Sequence, residues 1–94
     1  MAAFPEQKPR QYTKADAEAF PKNQKGCYGI YKQGTWVYIG KGDIRERLLA
    51  HLNGDNPCIT KQAPTHWVYV VTAQMDQKEG ELIAVCRPAC NKIG

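Results

Sequence analysis

The order of patterns along the chain predicts an α+β domain, a three-stranded sheet flanked by helices. Three observations predict it. Aromatic and β-branched residues surround a glycine turn between Cys27 and Gly42, a capped helical stripe begins at Asp43, and a β-rich run from Thr65 to Thr72 precedes a second helical stripe. Ninety-four residues are enough for one core and too few for two.

The first residues, 1 to 11, are polar and carry Pro5 and Pro9, which predicts a loose arm. Thr13 ahead of Ala15, Asp16, Ala17, Glu18 and Ala19 predicts a short capped helix that stops before Pro21, with Tyr12 and Phe20 pinning it to the body. The expected division is an arm with this helix over 1–22 and the main domain over 23–94.

The run CYGIYKQGTWVYIGKG predicts a β-hairpin turning at Gln33-Gly34, where glycine can take a positive φ. With a period of two, Tyr28, Ile30 and Lys32 share one face and Gly29, Tyr31 and Gln33 the other. On the return strand Trp36, Tyr38 and Gly40 oppose Val37 and Ile39.

Asp43-Ile44-Arg45-Glu46 has the form of a capping box, so a helix should run from Ile44 to about Leu52. Ile44, Leu48 and Leu52 form its apolar stripe, Leu49 lies at the far edge, and Arg47 and His51 sit together at the other. Asn53 to Pro64 reads as a loop. The run THWVYVVT should be the third strand, buried in the middle of the sheet. Asp76-Gln77-Lys78-Glu79 offers a second capping box, and the helix after it places Glu79, Leu82, Ile83 and Cys86 on one face. Gly80 hints at close backbone packing.

Composition narrows the function. With 43% hydrophobic and 23% charged residues, global disorder is not expected; no apolar run approaches the ~20 residues of a membrane span, and a start without an apolar block points to the cytoplasm. A net charge of +4, spread along the chain, is compatible with a polyanionic partner. Cys27, Cys58, Cys86 and Cys90 read as free buried thiols; only the last two are close in sequence, a poor pattern for zinc.

The tripeptides Gly29-Ile30-Tyr31 and Tyr38-Ile39-Gly40, followed downstream by matching residues, closely resemble the signature of the GIY-YIG nuclease family. The resemblance covers roughly residues 26 to 91. Lys41 matches the family's basic residue after the second tripeptide. Arg47 and His51 match its helical arginine and histidine, Glu79 matches its metal-binding glutamate, and Pro88 to Asn91 match its trailing Pro-x-x-Asn. Arg45 competes with Arg47, which alone stands one turn from His51. Glu81 competes with Glu79 but falls off the apolar face.

The resemblance implies a small three-stranded antiparallel sheet flanked by helices and a metal-dependent endonuclease that hydrolyses DNA, one strand per active site. Tyr31 is then the general base, with Lys41 and Arg47 as the cations favouring its phenolate. Arg47 stabilises the phosphoryl charge, and Tyr38 and His51 orient phosphate or water. Glu79 holds a single divalent ion, Mg2+ or Mn2+. Gly29 and Gly40 are structural, and Asn91 braces Glu79 or the chain end. DNA is the expected partner, with RNA as an alternative substrate and a protein partner or homodimer for targeting. The rival readings are a non-catalytic nucleic-acid binding module on the same fold and, last, a zinc-clipped interaction domain.

Overall fold

A computed structural model describes residues 4–91. The expectations for residues 1–3 and 92–94 lie outside the described residues. The elements are β1 (Arg10–Gln11), α1 (Lys14–Ala19), β2 (Lys25–Lys32), β3 (Thr35–Asp43), α2 (Ile44–Leu52), α3 (Pro57–Gln62), β4 (His66–Val71) and α4 (Met75–Cys86).

The sheet is antiparallel with the order β1-β4-β2-β3, one strand more than expected. The added strand comes from the supposed arm. Arg10 and Gln11 pair with Trp67 and His66, and the Gln7 side chain accepts from Tyr69 N at 3.1 Å and donates to Tyr69 O at 2.7 Å. Phe4 is buried against Trp36. Polar composition concealed this, because the segment's strand pairing is made by backbone and by one amide side chain.

β4 and β2 are the two inner strands, as the buried third strand was expected to be. β2 pairs along its length with β3 on one side and β4 on the other, whereas β4 is covered beyond β2 by the short β1 and the Gln7 side chain, and its last residue, Val71, is half exposed. In the hairpin Gly34 takes φ 77, as its turn requires. The return strand contains a bulge: Ile30 pairs with Tyr38 and Tyr31 with Trp36, leaving Val37 unpaired. The extra residue turns Val37 onto the face of Tyr38 rather than that of Ile39, so the expected strict alternation is broken.

Each face of the sheet carries its own core. Tyr28, Ile30, Val37 and Trp67 pack under α1, α2 and α3, meeting Ala17, Ile44, Leu48 and Ile59. Cys27, Ile39 and Val68 pack with Phe4 on the other face, against Leu82 of α4. The helices follow their capping chemistry in part. Thr13 Oγ1 accepts from Asp16 N, and Asp43 accepts from Glu46 N at 3.1 Å. The second capping box does not form: α4 begins two residues earlier, after Gln74, which makes no side-chain cap. Asp76 is thereby placed in the first turn, where the helix dipole favours an acid.

Three further expectations change. The 53–64 loop contains α3, capped by Asn56 and started by Pro57. Gly80 packs against nothing: a Cβ there would meet no atom within 4 Å. Cys58 and Cys90 form a disulfide, tying α3 to the segment after α4, while Cys27 and Cys86 are free. The Cα atoms of Cys58 and Cys90 stand 5.7 Å apart at a sequence separation of 32, so the chain's path, not its local spacing, makes the pair.

Candidate active site

Two strands and two helices position the candidate residues around the β3 edge. Strand parity gives Tyr28, Tyr38 and Gly40 one face, the face on which α2 lies. Tyr28 crosses under Gly40: a Cβ at position 40 would stand 2.3 Å from its hydroxyl. Glycine is therefore required in the second tripeptide to admit the phenol.

The Tyr28 hydroxyl lies 2.7 Å from His51 Nε2, a buried contact. His51 is 2% exposed, and its Nδ1 meets Asp55 Oδ1 at 2.8 Å. Arg47 donates to the other Asp55 oxygen, Oδ2, at 3.1 Å. Tyr38 stands edge-on to His51, with ring centroids 5.1 Å apart. The spacing of Arg47 and His51 on α2 thus does what the sequence implied, with His51 deeper than the helix edge assigned to it. Arg45 turns away to the carbonyl of Glu18 on α1, so of the two arginines it is Arg47 that joins this cluster.

On the opposite face α4 presents Glu79 beside Leu82, Ile83 and Cys86, as its periodicity predicts, while Glu81 faces outward and takes a hydrogen bond from Gln77. Lys41 Nζ approaches the Glu79 carboxylate to 3.6 Å and pairs more closely with Asp76. Asp76 raises the Lys41 pKa, so its charge is secure at neutral pH.

The phenols feel this surrounding. Burial pushes Tyr28 well above its ordinary range, Tyr38 adds to that, and the Arg47 guanidinium pulls the other way. Burial also raises Tyr38, with Glu79 raising it further and Arg47 opposing. Tyr38 is therefore the group on which the arginine of one face and the glutamate of the other both act. Burial lowers the His51 pKa despite its bond to Asp55, which keeps the imidazole neutral.

Tyr31 does not join this group. It lies on the α4 side of the sheet between Trp36 and His66, at ring distances of 5.2 and 5.8 Å, and its pKa is raised by burial alone. The expected gathering of Tyr31, Arg47 and Glu79 is not formed, and Tyr28 occupies the place assigned to Tyr31. The parity of the strand carried this sign, because Tyr31 is three residues from Tyr28 and so faces the other way. A second glycine-x-tyrosine, Gly26-Cys27-Tyr28, begins the same strand, and it puts its phenol on the Tyr38 face. Asp55 was also missed, since its relation to Arg47 and His51 depends on how the chain turns after α2.

Asn91 does not brace Glu79; it braces the end of the described chain against β3. Its amide accepts from Ile39 N and donates to Ile39 O, both at 2.8 Å, and so closes the free edge of β3 behind Tyr38. Ala89 N and Cys90 N bond Trp36 O and Val37 O along the same edge. Gly29 is structural in a simple sense: a Cβ there would strike Phe4 and Trp36 at 2.7 Å.

Among the described residues no three His, Cys, Asp or Glu side chains converge as a metal cage, and no helix is long and apolar enough to cross a membrane. Compared with known proteins, the chain matches no family model, no curated protein and no solved structure.

Proposed function

We propose that the chain is a metal-dependent endonuclease that hydrolyses phosphodiester bonds in DNA, with Tyr28 in the role that the sequence resemblance gave to Tyr31. The observation that carries the reading is the buried bond between the Tyr28 hydroxyl and a neutral His51, formed beside the Arg47 guanidinium. A phenol, a base to relieve it of its proton and a fixed cation next to both are what attack of water on a phosphodiester needs.

Attack on phosphorus builds negative charge on the nonbridging oxygens and on the departing sugar oxygen. Arg47 offers a planar fork of donors to the first. Tyr38, whose phenol feels the charges of both Glu79 and Arg47, orients the phosphate. Lys41 adds a second fixed cation on the Glu79 side.

Glu79 fits the role of holding a divalent ion. Its side chain is 23% exposed, and its carboxylate faces Lys41 at 3.6 Å, looser than a hydrogen bond. A single protein carboxylate suits Mg2+ or Mn2+, which retain waters and bind phosphate, better than a closed zinc site. Such an ion, when bound, supplies stabilisation of the leaving oxygen. One carboxylate and one ion per domain imply one strand cut per visit.

The test is nicking of supercoiled plasmid with Mg2+. Wild type and Tyr31→Phe are expected to nick at similar rates, and Tyr28→Phe and Glu79→Gln to lose at least about a hundredfold, the usual range for an acid-base or metal ligand. Equal nicking by Glu79→Gln and wild type would refute the role of Glu79; equal nicking by Tyr28→Phe would refute that of Tyr28. One observation favours a binding module instead, namely that Lys41 already neutralises Asp76 and Glu79. That reading requires salt-sensitive DNA binding with no nicking of duplex, branched or single-stranded substrates.

A further inference from the structure

We infer that Asp55 is a positioning residue of this site, holding His51 in the tautomer that takes the Tyr28 proton while aiming Arg47 with its second oxygen. The inference deepens the nuclease reading and rests on it.

The geometry leaves one arrangement of protons. An ionised carboxylate only accepts, so the 2.8 Å contact between Asp55 Oδ1 and His51 Nδ1 places the imidazole proton on Nδ1. A neutral imidazole carries one proton, and Nε2 must then accept. The group that meets it is the Tyr28 hydroxyl at 2.7 Å. Without Asp55 the imidazole is free to carry its proton on Nε2, where it would face the phenol with a donor and could not receive from it.

The backbone is folded to deliver this carboxylate. Asn53, Gly54 and Asp55 turn back on α2 with their N–H groups on Leu49 O, His51 O and Ala50 O, and Gly54 takes φ 90 to complete the turn. An acid just past a helix C-terminus is opposed by the helix dipole, so the carboxylate is held there by its side-chain partners and not by the helix. Its two partners explain it. Each oxygen of Asp55 is committed to a different residue of the cluster, and both of those residues adjoin Tyr28.

As the water oxygen bonds to phosphorus, a water proton passes to the Tyr28 oxygen and the phenolic proton passes to His51 Nε2. The bond from phosphorus to the sugar oxygen breaks, and that oxygen leaves with the bonding pair and takes a proton from solvent. The imidazolium, paired with Asp55, then returns its extra proton to solvent. The titratable and charged groups facing the imidazole are Tyr28 from β2, Tyr38 from β3, Arg47 on its own helix and Asp55, with Tyr12 close to Asp55.

The decisive comparison is Asp55→Asn against wild type, because asparagine can still accept from Arg47 but does not fix the imidazole proton. Two readouts are needed: the pH profile of plasmid nicking with Mg2+, and the nitrogen chemical shifts of His51 in the metal-free protein. Wild-type His51 is expected to be protonated on Nδ1 at pH 7. Asp55→Asn should nick about a hundredfold more slowly while plasmid affinity changes less than about threefold, magnitudes usual for a misplaced acid-base residue. Its acid limb should also move to lower pH, because the carboxylate that favours imidazolium has gone. Asp55→Glu, which keeps the charge, should recover part of the rate. A wild-type His51 protonated on Nε2, or Asp55→Asn nicking at the wild-type rate, overturns the inference and leaves the nuclease reading standing. Failure of the wild type to nick any DNA refutes the nuclease reading and the catalytic role of Asp55 with it.

Discussion

Replacing Gly40 with alanine should destabilise the protein far more than a single methyl group normally does. The added Cβ would lie 2.3, 2.4 and 2.9 Å from Oη, Cζ and Cε1 of Tyr28. Carbon atoms pack at roughly 3.5–4.0 Å, so the ring must retreat by more than an ångström. It has little room, being 1% exposed in the core beneath α2. Overpacking of this kind costs roughly 1–3 kcal/mol. Moving the hydroxyl also breaks its 2.7 Å bond to His51 and leaves a buried acceptor unpaired, about 1–3 kcal/mol more. Gly40 does not have a positive φ, so alanine meets no backbone strain, and the smaller unfolded-state entropy offsets up to ~1 kcal/mol. The net loss should be about 2–4 kcal/mol. Urea unfolding measures it directly, and thermal unfolding should show a fall of at least about 10 °C. Gly80→Ala makes the same chemical change in open space within α4 and should stabilise by roughly 0.5–1 kcal/mol. Adding Tyr28→Phe to Gly40→Ala should recover only part of the loss, because the contact at Cζ remains. Stability of Gly40→Ala within about 0.5 kcal/mol of wild type would refute the steric account of the second tripeptide's glycine.

Reduction of the Cys58–Cys90 bond, or Cys58→Ser with Cys90→Ser, should cost about 3–4 kcal/mol by the loop-closure estimate for a 32-residue separation. Unfolding in urea with and without reductant checks this, and equal midpoints would contradict it. Acidification should destabilise the fold in two stages. Burial depresses the folded-state pKa of His51, so the unfolded chain binds the proton more readily; stability is complete above the unfolded value of about 6.5 and declines as pH falls from there toward the folded value. Asp55 has its own pKa raised by burial but lowered more by His51 and Arg47, and so contributes a further loss as pH drops below about 4. In a series of denaturation curves, His51→Gln should remove the first stage, and an unchanged profile in that variant would count against it.

Much of the domain was legible because its signals are local. The hairpin, the Asp43-capped helix and the Glu79 stripe all follow from short-range periodicity and capping, and each appears where its pattern placed it. The spacing of Arg47 from Arg45, and of Glu79 from Glu81, was likewise settled by helix geometry. Two missed features, α3 and the turn that brings Asp55 back to His51, are local, and the others depend on partners distant in sequence. β1 exists through its pairing with β4, the disulfide through a meeting of α3 with the segment after α4, and the place of Asn91 through the free edge of β3.

The choice between two tyrosines shows the division most clearly. Sequence alone determined that Tyr28 and Tyr31 share a strand and face opposite ways, because successive side chains alternate. It did not determine which face would carry α2 and which α4, since a hairpin flanked by two helices allows either. The packing of Ile44 and Leu48 against Tyr28 and Ile30 decided that Arg47 and His51 meet Tyr28, while Tyr31 falls among aromatic rings on the far side. Residue types and spacings within one element are written in the chain, whereas which elements cover which face is decided only when the two apolar surfaces of the sheet are buried together.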